Sequence, residues 1–281
     1  MSNAFVVRPL AISAAAIAAS GSTTVAGAPI NVANDYAGVI WRGSTSGSTL
    51  ALDFDMGADV DLDTIALFGI AGTLAPSTTW RIALATAAQG PTFSGSNVTT
   101  GTGTGNYWWP PLADLYAGSA MPASGGGKAL WLKPAGGPPL FRYVRLGFTG
   151  LATNQIEIAR AVIGKRIQLA RNFAFGGTYG VRDLGSFDFS PRGVLLRRRS
   201  KKLRTVNLGF PHAFKDEIEE QVQPMLELIG NTEPIALVTD PDAHAQRQNR
   251  MYFGPLVGEL ANTQAKAGGG WEWRCPMVSL F

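Results

Sequence analysis

Residues 190–241 read SPRGVLLRRRSKKLRTVNLGFPHAFKDEIEEQVQPMLELIGNTEPIALVTDP, and this stretch decides the fold of the C-terminal part of the chain. Its order predicts a strand, a basic turn centred on Ser200, a second strand, a helix and a third strand. Apolar residues alternate loosely on either side of the basic run. That run contains Arg197, Arg198, Arg199, Lys201 and Lys202.

Apolar spacing predicts a helix over about residues 212–229. The apolar residues recur close to i, i+4, i+8, i+11, i+12 and i+15, which forms one buried stripe. Gly230 is expected to end the helix, because a left-handed cap costs least as glycine. Pro224 is expected to kink it, because proline cannot donate a hydrogen bond to the carbonyl of Glu220. The stripe consists of Phe214, Ile218, Val222, Met225, Leu226 and Ile229.

This order of elements resembles the core of the tail-tip ring proteins of long-tailed bacteriophages, the distal tail and hub-type modules. In that family an Arg-rich hairpin leads to a helix with an acidic start, followed by a Gly…Pro…Asp-Pro pattern. The resemblance implies assembly into a ring at the tail end. The residues that carry it are Arg198, Arg204, Leu208, Phe210, Glu217, Leu226, Gly230, Pro234, Asp240 and Pro241.

Composition favours a mostly β chain. Charged residues make up 16% of the sequence, against about 25% in average soluble proteins. The 34 glycines and 17 prolines indicate many turns. Few helical periods appear, so we expect β-sheet architecture. The low charge suits a protein that buries surface against neighbouring subunits, and it suits a plain β-sandwich equally well.

A series of alternating apolar runs predicts strands between about residues 31 and 169. Four sequence blocks in order resemble the galactose-binding-like (discoidin-like) jelly-roll: LALDFDMG at 50–57, LDTIALFG at 62–69, FRYVRLGF at 141–148 and IEIARAVIG at 156–164. Trp41 precedes them as in the family, whereas Ala161 stands where the family often has an acidic residue. The resemblance implies this fold and binding of a glycan or a protein, and it implies no activity.

These patterns divide the chain into two predicted domains. Residues 1–168 are expected to form the jelly-roll domain with an N-terminal strand or arm. Residues 169–281 are expected to form a small β-barrel or sandwich with one packed helix. No run reaches the roughly 18 apolar residues that a membrane span needs. Residues 167–191, rich in glycine with interspersed aromatic residues, are interpreted as a connector.

Catalytic, cofactor and metal sites are not indicated, and we expect no enzyme. His212 and His244 are the only histidines, and no Gly-x-Ser-x-Gly motif is present. The acidic run from Asp53 to Asp63 lacks the calcium-loop pattern, so a solvated strand face is the favoured interpretation. Cys275 is interpreted as a small core residue.

An aromatic loop is the candidate glycan site. Sugars stack their apolar C–H faces on aromatic rings, so aromatic residues clustered in a jelly-roll loop fit glycan recognition. The alternative is that these rings fill the end of the sandwich or a subunit contact. The candidate residues are Tyr107, Trp108, Trp109 and Tyr116.

The first functional hypothesis is a structural protein of a phage tail tip or baseplate. It would be made in the host bacterial cytoplasm and reside in the virion, where it would bind copies of itself and other tail tube and baseplate proteins. Binding of a host-surface glycan is the alternative, and specific nucleic-acid binding is disfavoured. The candidate intersubunit residues are Arg197, Arg198, Arg199, Lys201, Phe210 and Trp271.

Overall fold

The computed structural model of the chain consists mostly of antiparallel strands, which confirms the mostly β prediction. It describes residues 3–10, 17–20, 23–46, 49–71, 78–91, 93, 107–108, 112–113, 125–134, 140–151, 154–244, 246–266 and 270–281. Strands β1 to β22 are, in chain order, Phe5–Val7, Ile17–Ser20, Thr23–Ala26, Trp41–Ser44, Thr49–Asp61, Thr64–Ile70, Thr79–Ala85, Tyr107–Trp108, Leu112–Ala113, Gly127–Leu132, Leu140–Thr149, Gln155–Ile158, Arg160–Gly164, Arg166–Ile167, Thr178–Asp183, Ser186–Phe189, Leu195–Arg198, Lys202–Ala213, Ile235–Val238, Met251–Gly254, Asn262–Lys266 and Gly270–Val278.

The first part of the chain forms a β-sandwich. Its outer sheet has the order β2-β5-β11-β7-β8, with β9 also on β7, and its inner sheet has the order β10-β6-β13. A smaller sheet, β12-β4-β3, lies beside them. Large apolar side chains from both sheets fill the space between, including Trp80 and Phe148 of the outer sheet and Ile65 of the inner sheet, none more than 1% exposed. The strands predicted from alternating residues in this region are therefore present.

The inner sheet is buried on both faces. All seven residues of β6 are buried. Because side chains alternate across a strand, Ile65 and Leu67 face the sandwich core, and Ala66 and Phe68 face the opposite side. A strand covered on both sides reads as a continuous apolar run, which explains the sequence TIALFGI.

A second layer, which we call the junction sheet, covers the far side of the inner sheet. Its order is β14-β1-β19-β20, so the N-terminal strand pairs with a strand more than 220 residues later in the chain. Phe68, Phe253 and Phe281 contact one another across this boundary, with Phe68 and Phe253 ring centroids 5.4 Å apart. The N-terminal segment, which was predicted as a strand or arm, forms a strand at residues 5–7. This strand lies in a sheet with residues of the predicted C-terminal domain.

The C-terminal sheet forms the last layer. Its order is β15-β18-β22-β21, and it packs with the helical segment against the other face of the junction sheet. Val6, Ile235 and Leu237 point into this core, whereas Phe5, Ala236 and Val238 point into the core beside the inner sheet. The sandwich and the C-terminal part therefore share a continuous stack of four sheets.

Lys128 is buried in this stack. Its side chain is 1% exposed, and Nζ donates hydrogen bonds to the carbonyl oxygens of Met251 at 2.9 Å and Phe281 at 3.1 Å. Burial, with a smaller contribution from the charge of Arg204, holds the pKa of Lys128 well below its ordinary value. This lysine therefore joins the inner sheet to Met251 of the junction sheet and to Phe281 through backbone carbonyls.

The helical segment begins after β18 and has three parts. They are α1 at Lys215–Glu217, a π-helical turn at Ile218–Val222 and α2 at Gln223–Ile229. The irregularity expected at Pro224 is thus a π turn immediately before it, in which Gln223 donates its backbone N–H to Ile218. Gly230 caps the end with φ 52°, as predicted. Residues 212–213, which were predicted to be helical, belong to β18.

Candidate interaction surface

Residues 184–201, which we call the arm, form a β-ribbon that leaves the C-terminal sheet. Strand β16 pairs with β17 in the register Ser186 opposite Arg198 and Phe189 opposite Leu195. The turn between them contains Pro191 and Gly193 at φ 74°. The backbone N–H of Ser190 donates to the Val194 carbonyl at 2.9 Å and closes the turn. Except for Gly185 and Ser190, every arm residue is exposed.

One face of the arm is apolar. Residues directly opposite in an antiparallel pair share a face, so Phe187, Phe189 and Leu195 lie together. These side chains are 74%, 59% and 50% exposed, and the two phenyl rings meet edge to face at 6.2 Å. Arg197 lies on the same face, opposite Phe187. The other face carries Ser186, Asp188, Leu196 and Arg198.

The basic run does not form the predicted hairpin turn. Arg197 and Arg198 lie within β17, and Arg199 and Lys201 lie in the connection from β17 to β18. Strand β17 pairs with β16, whereas β18 pairs with β15 and β22. The strands before and after the basic run therefore follow each other in sequence but do not pair with each other. The turn occurs at SPRG instead, because proline and glycine supply its backbone angles locally.

The predicted intersubunit residues occupy different environments. Arg197, Arg198 and Arg199 are exposed on the arm. Lys201 is exposed, and its Nζ donates to the carbonyl of Leu280 at 3.0 Å within the same chain.

Phe210 does not lie at the surface where an intersubunit contact was predicted. It is 2% exposed and stacks on Trp273 at 5.0 Å, because alternation along β18 turns it inward. Trp271 is half-buried against the same core. Phe210 therefore serves the chain's own packing.

Acidic side chains line the exposed side of the helical segment. The buried side carries the apolar stripe that the sequence predicted, apart from Phe214, which is 47% exposed. Glu217 caps the start of the helix, since its carboxylate accepts the backbone N–H groups of Phe214 at 3.0 Å and Ala170 at 2.6 Å. The exposed acidic residues, which we call the acidic face, are Asp216, Glu219, Glu220 and Glu227.

A cavity of about 1250 Å3 lies at the base of the arm, between β15, β18 and the loop ends of the junction sheet. Arg204 is 5% exposed there and donates to the Tyr252 hydroxyl at 2.8 Å. Arg250 pairs with Asp240. Lys201 and Lys202 also line the cavity, so basic side chains outnumber acidic ones among its described lining residues.

The aromatic loop is described only in part. Tyr107 and Trp108 form β8, which pairs with Leu84 and Ala83 of β7 at one edge of the outer sheet. The candidate residues Trp109 and Tyr116 lie outside the described residues. The structure thus places the start of this segment at a sheet edge.

Most of the acidic run along β5 is paired with basic side chains. Asp53 accepts a hydrogen bond from Nε of Arg145 at 2.6 Å. Asp55 accepts one from Nε of Arg142 at 2.7 Å. The hydrogen bond from Arg142 lowers the pKa of Asp55. Asp61 and Asp63 pair with Lys165 and Arg166. The predicted strand face is therefore present as a row of partly exposed ion pairs.

Among the described residues, no group of three or more His, Cys, Asp or Glu side chains is placed to hold a metal ion. None of the described helices has the length and apolar character needed to cross a membrane. Cys275 is buried in the core, as predicted, and burial raises the pKa of its thiol to about 12.

The arm's apolar residues are the functional candidates that the sequence interpretation missed. Phe187 and Phe189 fell in the predicted connector, and Leu195 fell in the strand predicted before the basic run. The period-2 pattern Phe-Asp-Phe at 187–189 was a signal for a strand. Nothing in that pattern distinguishes a covered face from an exposed one.

Comparisons with known proteins give structural similarity only. The chain matches no family model and no curated protein sequence. A chitosan-binding module 1 from a Paenibacillus sp. IK-5 chitosanase/glucanase is similar, with 12% identity, a TM-score of 0.40 and coverage of 56% of this chain and 98% of that one. The CBM32 of AlyQ, in complex with 4,5-unsaturated mannuronic acid, has 15% identity, a TM-score of 0.35 and coverage of 55% and 96%.

A third similar structure is the lectin domain of lectinolysin complexed with Lewis B antigen. It has 12% identity, a TM-score of 0.36 and coverage of 53% of this chain and 91% of that one. These neighbours are carbohydrate-binding modules, and nothing in the comparisons shows a phage tail or baseplate protein. At these TM-scores the similarity carries no argument about what this chain binds.

Proposed function

We propose that the chain is a structural subunit that assembles with copies of itself through the arm. The observation that carries this proposal is the exposed apolar face of Phe187, Phe189 and Leu195 on a two-stranded ribbon. An isolated two-stranded ribbon is at best marginally stable in water. Contiguous apolar side chains on such a ribbon are typical of surfaces that another protein covers.

The energy available at this face suits an interface. Fully burying a Leu or Phe side chain contributes about 1.5–3 kcal/mol. Scaled by their exposed fractions, the three arm side chains would contribute on the order of 4 kcal/mol when a partner covers them. That is a useful share of the energy needed for micromolar association, which is about 8 kcal/mol.

A finer proposal is that the assembly is a ring at the tail tip or baseplate of a bacteriophage. Support for it comes from the sequence pattern of residues 190–241 and from the low charge content of 16%. In that setting the partners would be copies of this chain and other tail tube and baseplate proteins, and the location would be the virion. We propose no catalytic role.

Replacing Phe187, Phe189 and Leu195 together by serine is expected to convert the assembled protein to monomers. The substitutions remove the apolar area that a partner would cover but no core contact, since all three side chains are exposed. Light scattering coupled to gel filtration measures the mass directly. Leu196→Ser, on the opposite face of β17, is the matched control and should leave the mass unchanged. A wild-type chain that stays monomeric at high concentration would refute self-assembly.

Glycan binding is the second candidate function. The favouring observation is the position of β8, which places Tyr107 and Trp108 at an edge of the outer sheet next to β7. A sheet edge leads into loops, where aromatic residues are free to stack on sugar rings. The similar structures are a chitosan-binding module and complexes with 4,5-unsaturated mannuronic acid and with Lewis B antigen, and these carbohydrates are included in the screen.

Trp108→Ala is expected to weaken glycan binding if this second function holds. Stacking of one aromatic ring contributes about 1–3 kcal/mol, so the dissociation constant should rise roughly five- to 150-fold. A glycan array with the wild-type chain and the variant measures the effect. Absence of any wild-type signal would remove this candidate without affecting the assembly proposal.

A further inference from the structure

We infer that the arm of one copy docks on the acidic face of the helical segment of the next copy, so that copies join head to tail. This inference rests on the proposed self-assembly and names the receptor for the arm. Charge, exposed apolar area and the placement of the two surfaces each support it.

The two surfaces carry opposite charge. Within residues 184–201 the only acid is Asp188, and the bases are Arg192, Arg197, Arg198, Arg199 and Lys201. Within residues 215–229 the only base is Lys215, and the acids are Asp216, Glu217, Glu219, Glu220 and Glu227. Complementary surface charge steers association and fixes which surfaces meet. The acidic face is therefore a suitable receptor for the arm.

Exposed apolar side chains accompany the charges on both surfaces. Leu228 and Phe214, at the two ends of the helical segment, are 58% and 47% exposed. The arm offers Phe187, Phe189 and Leu195 beside Arg197. A contact between them would bury apolar area within a rim of ion pairs, which is the usual anatomy of a protein interface.

The placement of the surfaces favours a second copy. Strand β18 has 12 residues, with the arm attached at its Lys202 end and the helical segment following its Ala213 end. At about 3.3 Å per residue, the two attachment points lie roughly 35–40 Å apart. The arm is exposed, so it is not docked on its own helix. A contact between two different surfaces is heterologous and produces a closed ring or an open filament.

The cavity at the base of the arm is a less suitable receptor. Its lining includes Lys201, Lys202, Arg204 and Arg250, with Arg250 already paired to Asp240. A basic arm from another copy would meet like charge there, which weakens association. The groove beside the helix borders the acidic face, since Glu220 and Leu228 line it together with Arg8, Lys165 and Arg166. Lys165 and Arg166 are already paired with Asp61 and Asp63, so their charge is largely compensated there.

A charge-swap experiment tests the contact. One variant carries Arg197→Glu and Arg198→Glu on the arm, and the other carries Glu220→Lys and Glu227→Lys on the helical segment. Each alone places like charges at the contact, so each should assemble at least tenfold more weakly than the wild type. Mixed at equal concentration, the arm of each variant meets an opposite charge on the other, and assembly should return with the two chains alternating.

Light scattering coupled to gel filtration reports assembly mass, and a tag on one variant reports whether the restored species contains both chains. Glu259→Lys, an exposed acid outside the acidic face, is the matched control and should assemble as the wild type does. Far-ultraviolet circular dichroism confirms that each variant is folded. This contact would be overturned if the helix variant assembled as strongly as the wild type, or if the mixture of the two variants did not assemble. In either case assembly through the arm would still be supported. A monomeric wild type would overturn both.

Discussion

Phe253→Ala is expected to lower the free energy of unfolding by about 3–5 kcal/mol, which is the usual cost of emptying a buried aromatic site. Phe253 is fully buried in the core between the inner sheet and the junction sheet. Its ring contacts Phe68 at 5.4 Å and Phe281 at 6.1 Å, so the cavity would open where the sandwich meets the C-terminal part. Urea unfolding followed by tryptophan fluorescence measures the loss.

The same experiment tests whether the sheet stack unfolds as one unit. Because the shared core links the layers, we expect a single transition at a lower midpoint. Phe175→Ala is the matched control, since that ring is fully exposed and its removal should change stability by less than about 0.5 kcal/mol. Two separate transitions, with only one displaced by Phe253→Ala, would contradict a shared core.

Val6→Asp is expected to destabilise the whole sheet stack, with the largest local effect in the C-terminal part of the chain. Val6 is 1% exposed in the N-terminal strand, where it pairs between Ile167 and Leu237 and points into the core of the helical segment. An ionised carboxylate without a partner costs several kcal/mol in such a site. Total stabilities of domains are about 5–15 kcal/mol, so the loss is a large part of the whole.

Amide hydrogen exchange locates the effect of Val6→Asp. Protection should fall in Ile235–Val238 and in the helical segment, which are far from residue 6 in sequence. Val25→Asp is the matched control, because it introduces the same charge on a strand at a 49% exposed position. Unchanged protection of Ile235–Val238 in the Val6 variant would show that the N-terminal strand does not hold the junction sheet together.

The local periodicity of apolar residues predicted much of the fold, because this periodicity depends only on residues that are close in sequence. The spacing of Ile218, Val222, Met225 and Ile229 identified the buried side of the helix, and Gly230 identified its end. Alternation identified Trp273 and Cys275 as inward-facing residues of the last strand. These signals come from side-chain periodicity, which does not depend on what lies opposite.

The candidate site was harder to predict, because a site depends on what covers each face. Phe210 and Phe187 both lie in alternating strands, yet one is stacked in the core and the other is 74% exposed. The basic run was interpreted as a turn because it interrupts the alternating apolar residues on either side of Ser200. In the structure β17 pairs with β16, because the SPRG turn brings these two strands together and because β18 is already paired with β15 and β22.

The sequence by itself determined a mostly β chain, the strands of the sandwich region, one helix with a buried stripe, and a strongly basic segment. Only the tertiary structure decided that residues 5–7 pair with Ile235–Val238, that neighbouring sheets of the four share cores, and that the arm is exposed. The physical reason is that periodicity specifies which side of an element is apolar, whereas the identity of the surface that buries it depends on contacts between distant residues.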